Sequence, residues 1–124
     1  MKGVACMQID EAITAFSQSE KIKAGLIWAS QLVEIYKTLA EADKSGAGKI
    51  IRAIVDLIGH EILICKKSAP DKLWLEIEKN IETAAVMIRS NVAHEAGFHL
   101  TRALTQVTTI GQRSMSMLKD KGLL

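Results

Sequence analysis

Ile22-Lys23-Ala24-Gly25-Leu26-Ile27-Trp28-Ala29-Ser30-Gln31-Leu32-Val33-Glu34-Ile35-Tyr36-Lys37-Thr38-Leu39-Ala40 is the stretch from which the fold can be read. Ile22, Leu26, Ala29, Val33, Tyr36 and Ala40 follow one another at alternating steps of four and three, which places them on one side of an α-helix. Trp28, Leu32, Ile35 and Leu39 form a second row beside the first. Two adjacent rows make a broad apolar stripe, the mark of a bundle helix and not of the narrow seam of a two-stranded coiled coil. The pattern predicts a helix from about Asp10 to Asp43. Ser17 to Glu20 could cap a new helix, which would leave Ile9, Ile13 and Phe16 on a short separate N-terminal one. The first eight residues carry no pattern and are expected to be irregular.

Downstream, Lys44-Ser45-Gly46-Ala47-Gly48 breaks helical preference with two glycines and is expected to be a tight helix-to-helix turn. A second helix is predicted from about Lys49 to Lys67. It is apolar around most of its circumference, with Ile50, Ile51, Ile54, Val55, Leu57, Ile58, Ile62, Leu63, Ile64 and Cys65, and should be the most buried element. Ser68-Ala69-Pro70-Asp71 ends it, because proline is tolerated only in a first turn, and Ser68 with Asp71 has the spacing of a capping box. The third helix has Trp74, Ile77, Ile81, Ala84, Ala85, Ile88 and Val92 on one face. Leu100, Leu104, Val107, Gly111, Ser114 and Leu118 keep the spacing until Gly122. A turn near Gly97 is expected between these two runs, since unbroken helix from Asp71 to Lys119 would reach about 70 Å. Four helices with short connections give an all-α, antiparallel up-down four-helix bundle in a single domain spanning residues 1–124.

Composition agrees. The 124 residues include one proline, 48% hydrophobic residues and only 4% Phe, Tyr and Trp, which favours helix over sheet and suffices for one core. A net charge of +2 is too mild to announce nucleic acid or an acidic membrane. No segment approaches the roughly 20 apolar residues of a membrane span, and the N-terminal residues have no signal-peptide stretch, so a cytoplasmic protein is expected. Cys6 and Cys65 have no metal or redox spacing and are expected to be free thiols.

Few residues invite chemistry. Glu61 projects to the centre of the apolar side of the second helix, opposite Arg52, Asp56, His60 and Lys67. It should pair with a basic or amide side chain across the bundle or across a subunit boundary; the alternative is a metal ligand or an acid whose pKa is raised by burial. Glu95 and His99, one turn apart, are the obvious partners on the inner side, but in an antiparallel hairpin they fall about 27 Å further along the axis than Glu61. His94 and His99 are spaced too widely for a zinc-protease helix. No metal centre, cofactor, phosphate loop or nucleophile elbow is expected. From Ala96 to Lys119 there is no acidic residue, and Thr101, Thr105, Thr109, Gln112 and Ser116 fill the outer face. So weakly charged a face suits contact between subunits.

Arg89-Ser90-Asn91-Val92-Ala93-His94 is an Arg-x4-His element with one further helix after it. It resembles the signature of HEPN domains, and Ala53–Glu61 and Pro70–Ile77 are similar to the helix and tryptophan that precede the motif in toxin-type members. That resemblance implies a dimerising helical bundle that cleaves RNA without metal, with Arg89 and His94 as the catalytic pair. Ser90 stands where the family has a polar residue that is usually Asn. Ile51–Val55 and Leu118–Leu124 also resemble the four-helix proteins encoded in ribosomal RNA intervening sequences and their retroelement accessory relatives, which implies an oligomeric accessory protein contacting nucleic acid. The expectation is a small self-associating helical accessory module, with the metal-independent ribonuclease as the alternative.

Overall fold

The computed structural model describes residues 8–124, which leaves Cys6 outside the described residues. Glu11 accepts a hydrogen bond from the Gln8 backbone N–H at 3.0 Å and so starts α1 (Ile9–Thr38), which runs without a break through Ser17–Glu20. No separate N-terminal helix exists among the described residues. α2 (Glu41–Ser68), α3 (Leu73–Arg89) and α4 (Ala93–Asp120) follow, each packed against its neighbours in sequence, and α4 closes the ring against α1. The expected all-α up-down four-helix bundle is the observed architecture.

The first turn lies elsewhere than expected. α1 stops at Thr38, and Leu39 and Ala40 alone make the connection, both in extended backbone with ψ of 152°. Lys44–Gly48 is helical and belongs to α2. The reason is packing: Gly48 is buried, and a Cβ there would sit 3.4 Å from the Tyr36 ring. The glycine lets the first turns of α2 approach the end of α1 closely, which is one of the uses of a missing side chain.

The turn between α3 and α4 is also earlier than expected. Gly97 is inside α4, and the chain reverses at Ser90-Asn91-Val92, where Asn91 takes the left-handed conformation with φ of 63°. The Val92 N–H donates to the Met87 carbonyl at 2.9 Å and the Asn91 N–H to that of Ile88 at 3.3 Å. This is the six-to-one, five-to-two pattern of a Schellman cap with asparagine in place of glycine. Gly122, with φ of 72°, ends α4 in the same way, through Leu123 to Leu118 at 2.8 Å and Gly122 to Lys119 at 3.0 Å.

Ser68 is the last residue of α2 and does not cap α3. Asp71 starts α3 by another route: one carboxylate oxygen accepts the Leu73 N–H at 2.9 Å, and the other accepts Arg113 of α4 at 2.8 Å. The Trp74 indole N–H donates to the Ala69 carbonyl at 3.1 Å, so this fully buried ring leaves no polar atom unsatisfied. Around it the core collects Ile22, Leu26, Ile62, Ile77, Leu100 and Ile110. α1 and α4 pack closely through small residues, and a Cβ on Gly111 would meet that of Ser19 at 3.3 Å.

α2 is not buried all round. Val55, Ile62 and Cys65 face the core, but Ile50, Leu57, Leu63 and Ile64 are exposed. A helix in a ring of four touches two neighbours, so its outer half has nothing from this chain to cover it.

Candidate functional site: an apolar seam and a basic end cleft

The core row of each of the first two helices is shadowed by a second row one residue earlier. On α1 this is Gln18, Lys21, Gly25, Trp28, Leu32 and Ile35; on α2 it is Ile50, Ile54, Leu57, Glu61 and Ile64. Because the helices are antiparallel, both rows turn toward the same outer groove. Direct contacts fix this: a Cβ on Gly25 would meet Ile58 at 3.3 Å, and Lys21 Nζ reaches Glu61 Oε1 at 3.0 Å. The groove is therefore flanked by exposed apolar side chains, with Trp28 at 64%, Ile35 at 56%, Ile50 at 65% and Leu57 at 63% of full exposure.

Glu61 closes this seam at one end. Its carboxylate accepts from Lys21 and, at 3.2 Å, from the Gln18 amide. These two hydrogen bonds, the Lys21 one foremost, hold its pKa below the usual carboxylate value, the reverse of the raised acid considered from sequence. Burial opposes them, but the group is only partly covered, at 30% exposure. Cys65, one turn on, is fully buried, and desolvation pushes its thiol up to about 11.

The outer groove between α3 and α4 has the opposite character. Asn80 donates to Gln106 at 3.0 Å and lies 3.2 Å from His99 Nδ1, while Gln106 donates to Glu76 at 3.3 Å. Thr105, Thr108 and Thr109 return their hydroxyls to carbonyls one turn back in α4. The weakly charged final helix thus satisfies much of its polarity inside the chain. Glu95 is exposed and not buried, and its carboxylate lies 3.7 Å from His94 Nε2.

Arg89 and His94 would diverge on a straight helix, but the reversal at Ser90–Val92 separates them onto α3 and α4. Both now line one cleft of about 800 Å³ at the end of the bundle. The cleft exists because α3 has 17 residues against 28 in α2 and α4, so the first turns of α2 run past its end. Lys37, Lys44, Lys49 and Arg52 line it too, and Glu41 is the sole carboxylate among the lining residues. Lys37 pairs with Glu34 at 2.8 Å and Lys44 loosely with Glu41 at 3.5 Å. Lys49 and Arg89 have no ion-pair partner among the described residues. Arg52 Nε is covered and has no hydrogen-bond acceptor, since Asp56 stands off at 3.9 Å. No hydrogen bond joins Arg89 to His94 among the described residues.

Sequence reading missed this cluster. By pattern alone Lys44 falls in the expected turn and Arg52 on the side of the second helix opposite Glu61, and only the topology brings both to the end of α3. Among the described residues no three His, Cys, Asp or Glu side chains converge as a metal site, and no helix is long and apolar enough to cross a membrane. Comparison with protein-family models, with curated proteins and with solved structures finds no match for the chain.

Proposed function

We propose that the chain is a self-associating helical accessory module whose contact surface is the outer groove of the α1–α2 hairpin. One observation carries the reading: the apolar seam through Trp28, Ile35, Ile50 and Leu57 lies open along this groove, while the α3–α4 groove is closed by its own hydrogen bonds. Contiguous apolar surface of this kind marks a contact site on a folded domain. Large side chains half or more exposed present on the order of 100 Å² each, so a self-paired seam covers on the order of 1,000 Å² in all, the lower bound for a specific interface. A two-fold axis across the groove would pair each seam with its copy.

Sedimentation velocity tests this directly. The wild-type protein should form a defined oligomer with rising concentration, and Trp28→Glu with Leu57→Glu should convert it to a monomer of unchanged helical circular dichroism. A wild-type chain that stays monomeric at high concentration removes the proposal.

A second reading is favoured by the presence of both Arg89 and His94 on the lining of one cleft. There the arginine would stabilise charge on a phosphodiester while the imidazole exchanges a proton with the ribose hydroxyl or the leaving oxygen. It expects RNA cleavage that persists in chelator and disappears in His94→Ala. Cleavage unchanged in that variant would dismiss the pair.

A further inference from the structure

Five fixed cations in a single concavity are held together against their mutual repulsion, in a chain whose net charge is only +2. Helix dipoles do not produce the effect: the C-termini of α1 and α3 and the N-termini of α2 and α4 meet at this end, so their partial charges offset. The field comes from side chains, and two of them, Lys49 and Arg89, are not neutralised by any ion pair among the described residues. Arg52 adds a covered Nε without an acceptor.

We propose that the end cleft binds a small molecule carrying two or more phosphates, with Lys49, Arg52 and Arg89 as the principal contacts and Lys44 and His94 at its edge. This goes beyond self-association and does not depend on it, because every lining residue belongs to one chain. Nor does it require that anything be cleaved. Phosphate suits the donors present: arginine offers a planar fork to two phosphate oxygens, and lysine a point charge. More than one phosphate suits their number. The volume, about 800 Å³, matches a ligand of nucleotide size. A polymer would be expected to follow a basic strip leading away from the cleft, and α4 has no such strip, carrying only Arg102, Arg113 and Lys119 beyond its first two turns, with Arg113 spent on Asp71.

The experiment is calorimetric titration and thermal unfolding of the full chain with inorganic pyrophosphate, inorganic phosphate and a 12-nucleotide RNA bearing a 5′-hydroxyl. Pyrophosphate should bind saturably, at least tenfold more tightly than phosphate, and raise Tm by linkage. Arg89→Gln with Lys49→Gln should weaken it at least tenfold; both positions are exposed, so these variants fold even if Arg52→Gln does not. Lys79→Gln, on the exposed side of α3, should change nothing. Trp28→Glu with Leu57→Glu should bind pyrophosphate as the wild type does, which separates this site from the seam. Tighter binding of the RNA than of pyrophosphate would overturn the small-molecule assignment. Equal, weak responses to both inorganic anions, unaltered by Arg89→Gln with Lys49→Gln, would overturn the site.

Discussion

Cys65 and Glu61 lie one turn apart on α2 and share Gln18, yet they respond to pH in opposite ways, because burial dominates at the thiol and hydrogen bonds dominate at the carboxylate. The Cys65 thiol is fully buried, and desolvation raises its pKa from an ordinary 9.0 to about 11. The folded state therefore keeps this proton after the unfolded chain has lost it. Its contribution to stability is complete below pH 9 and is lost as pH rises through about 11. Denaturant unfolding of the wild type against Cys65→Ala should show the stability difference shrinking across that window, and a constant difference would refute a buried thiol. Glu61 titrates the other way: hydrogen bonds from Lys21 and Gln18 depress its pKa, so it contributes above the usual carboxylate range and ceases to as pH falls through the lowered value. In Glu61→Gln the acid limb of the stability curve should flatten. The contribution is small, since Lys21 is largely solvent-exposed and water screens its pairing with the partly covered Glu61. That Glu61 would find a basic or amide partner was readable from its position among isoleucines. Which residue that would be was not, because Lys21 lies 40 positions away and is selected by the register of the α1–α2 hairpin.

At the scale of elements, the helices were legible from the four-and-three spacing of apolar residues, which reflects a burial requirement independent of neighbours. The turns were not, and the glycines show why. Gly46-Ala47-Gly48 and Gly97 weaken helix only by local propensity, about 1 kcal/mol per glycine, which tertiary packing overrides. The true reversals carry subtler signs: Leu39-Ala40 needs only two extended residues, and Asn91 takes the left-handed conformation that asparagine tolerates better than most residues. A stability measurement separates the alternatives. A Cβ at Gly46 or at Gly97 meets nothing within 4 Å, and neither has positive φ. Gly46→Ala and Gly97→Ala should each stabilise the protein by about 0.5–1 kcal/mol in chemical denaturation. Were either glycine in a left-handed turn, alanine would destabilise instead.

For the whole molecule, the ring of four helices leaves outer grooves that the chain treats unequally, and the end cleft arises from a mismatch in helix length that no local pattern encodes. The α3–α4 groove is joined by Asn80, His99, Gln106 and Glu76, whereas the α1–α2 groove is apolar except where Gln18, Lys21 and Glu61 meet. A polar cluster at one end of an apolar seam defines where a partner seam must stop, as a lone polar residue sets register in a coiled coil. Glu61→Leu tests this at the level of assembly. It leaves Lys21 exposed, so the fold loses little, and it extends the apolar row from Leu57 to Ile64 without interruption. Monomer stability in denaturant should hold within about 1 kcal/mol, while light scattering should show larger and less uniform oligomers than the wild type forms, because the longer seam admits pairings that the charged cluster had forbidden. An assembly of unchanged size and uniformity would mean that Glu61 serves only the hairpin to which it is bonded.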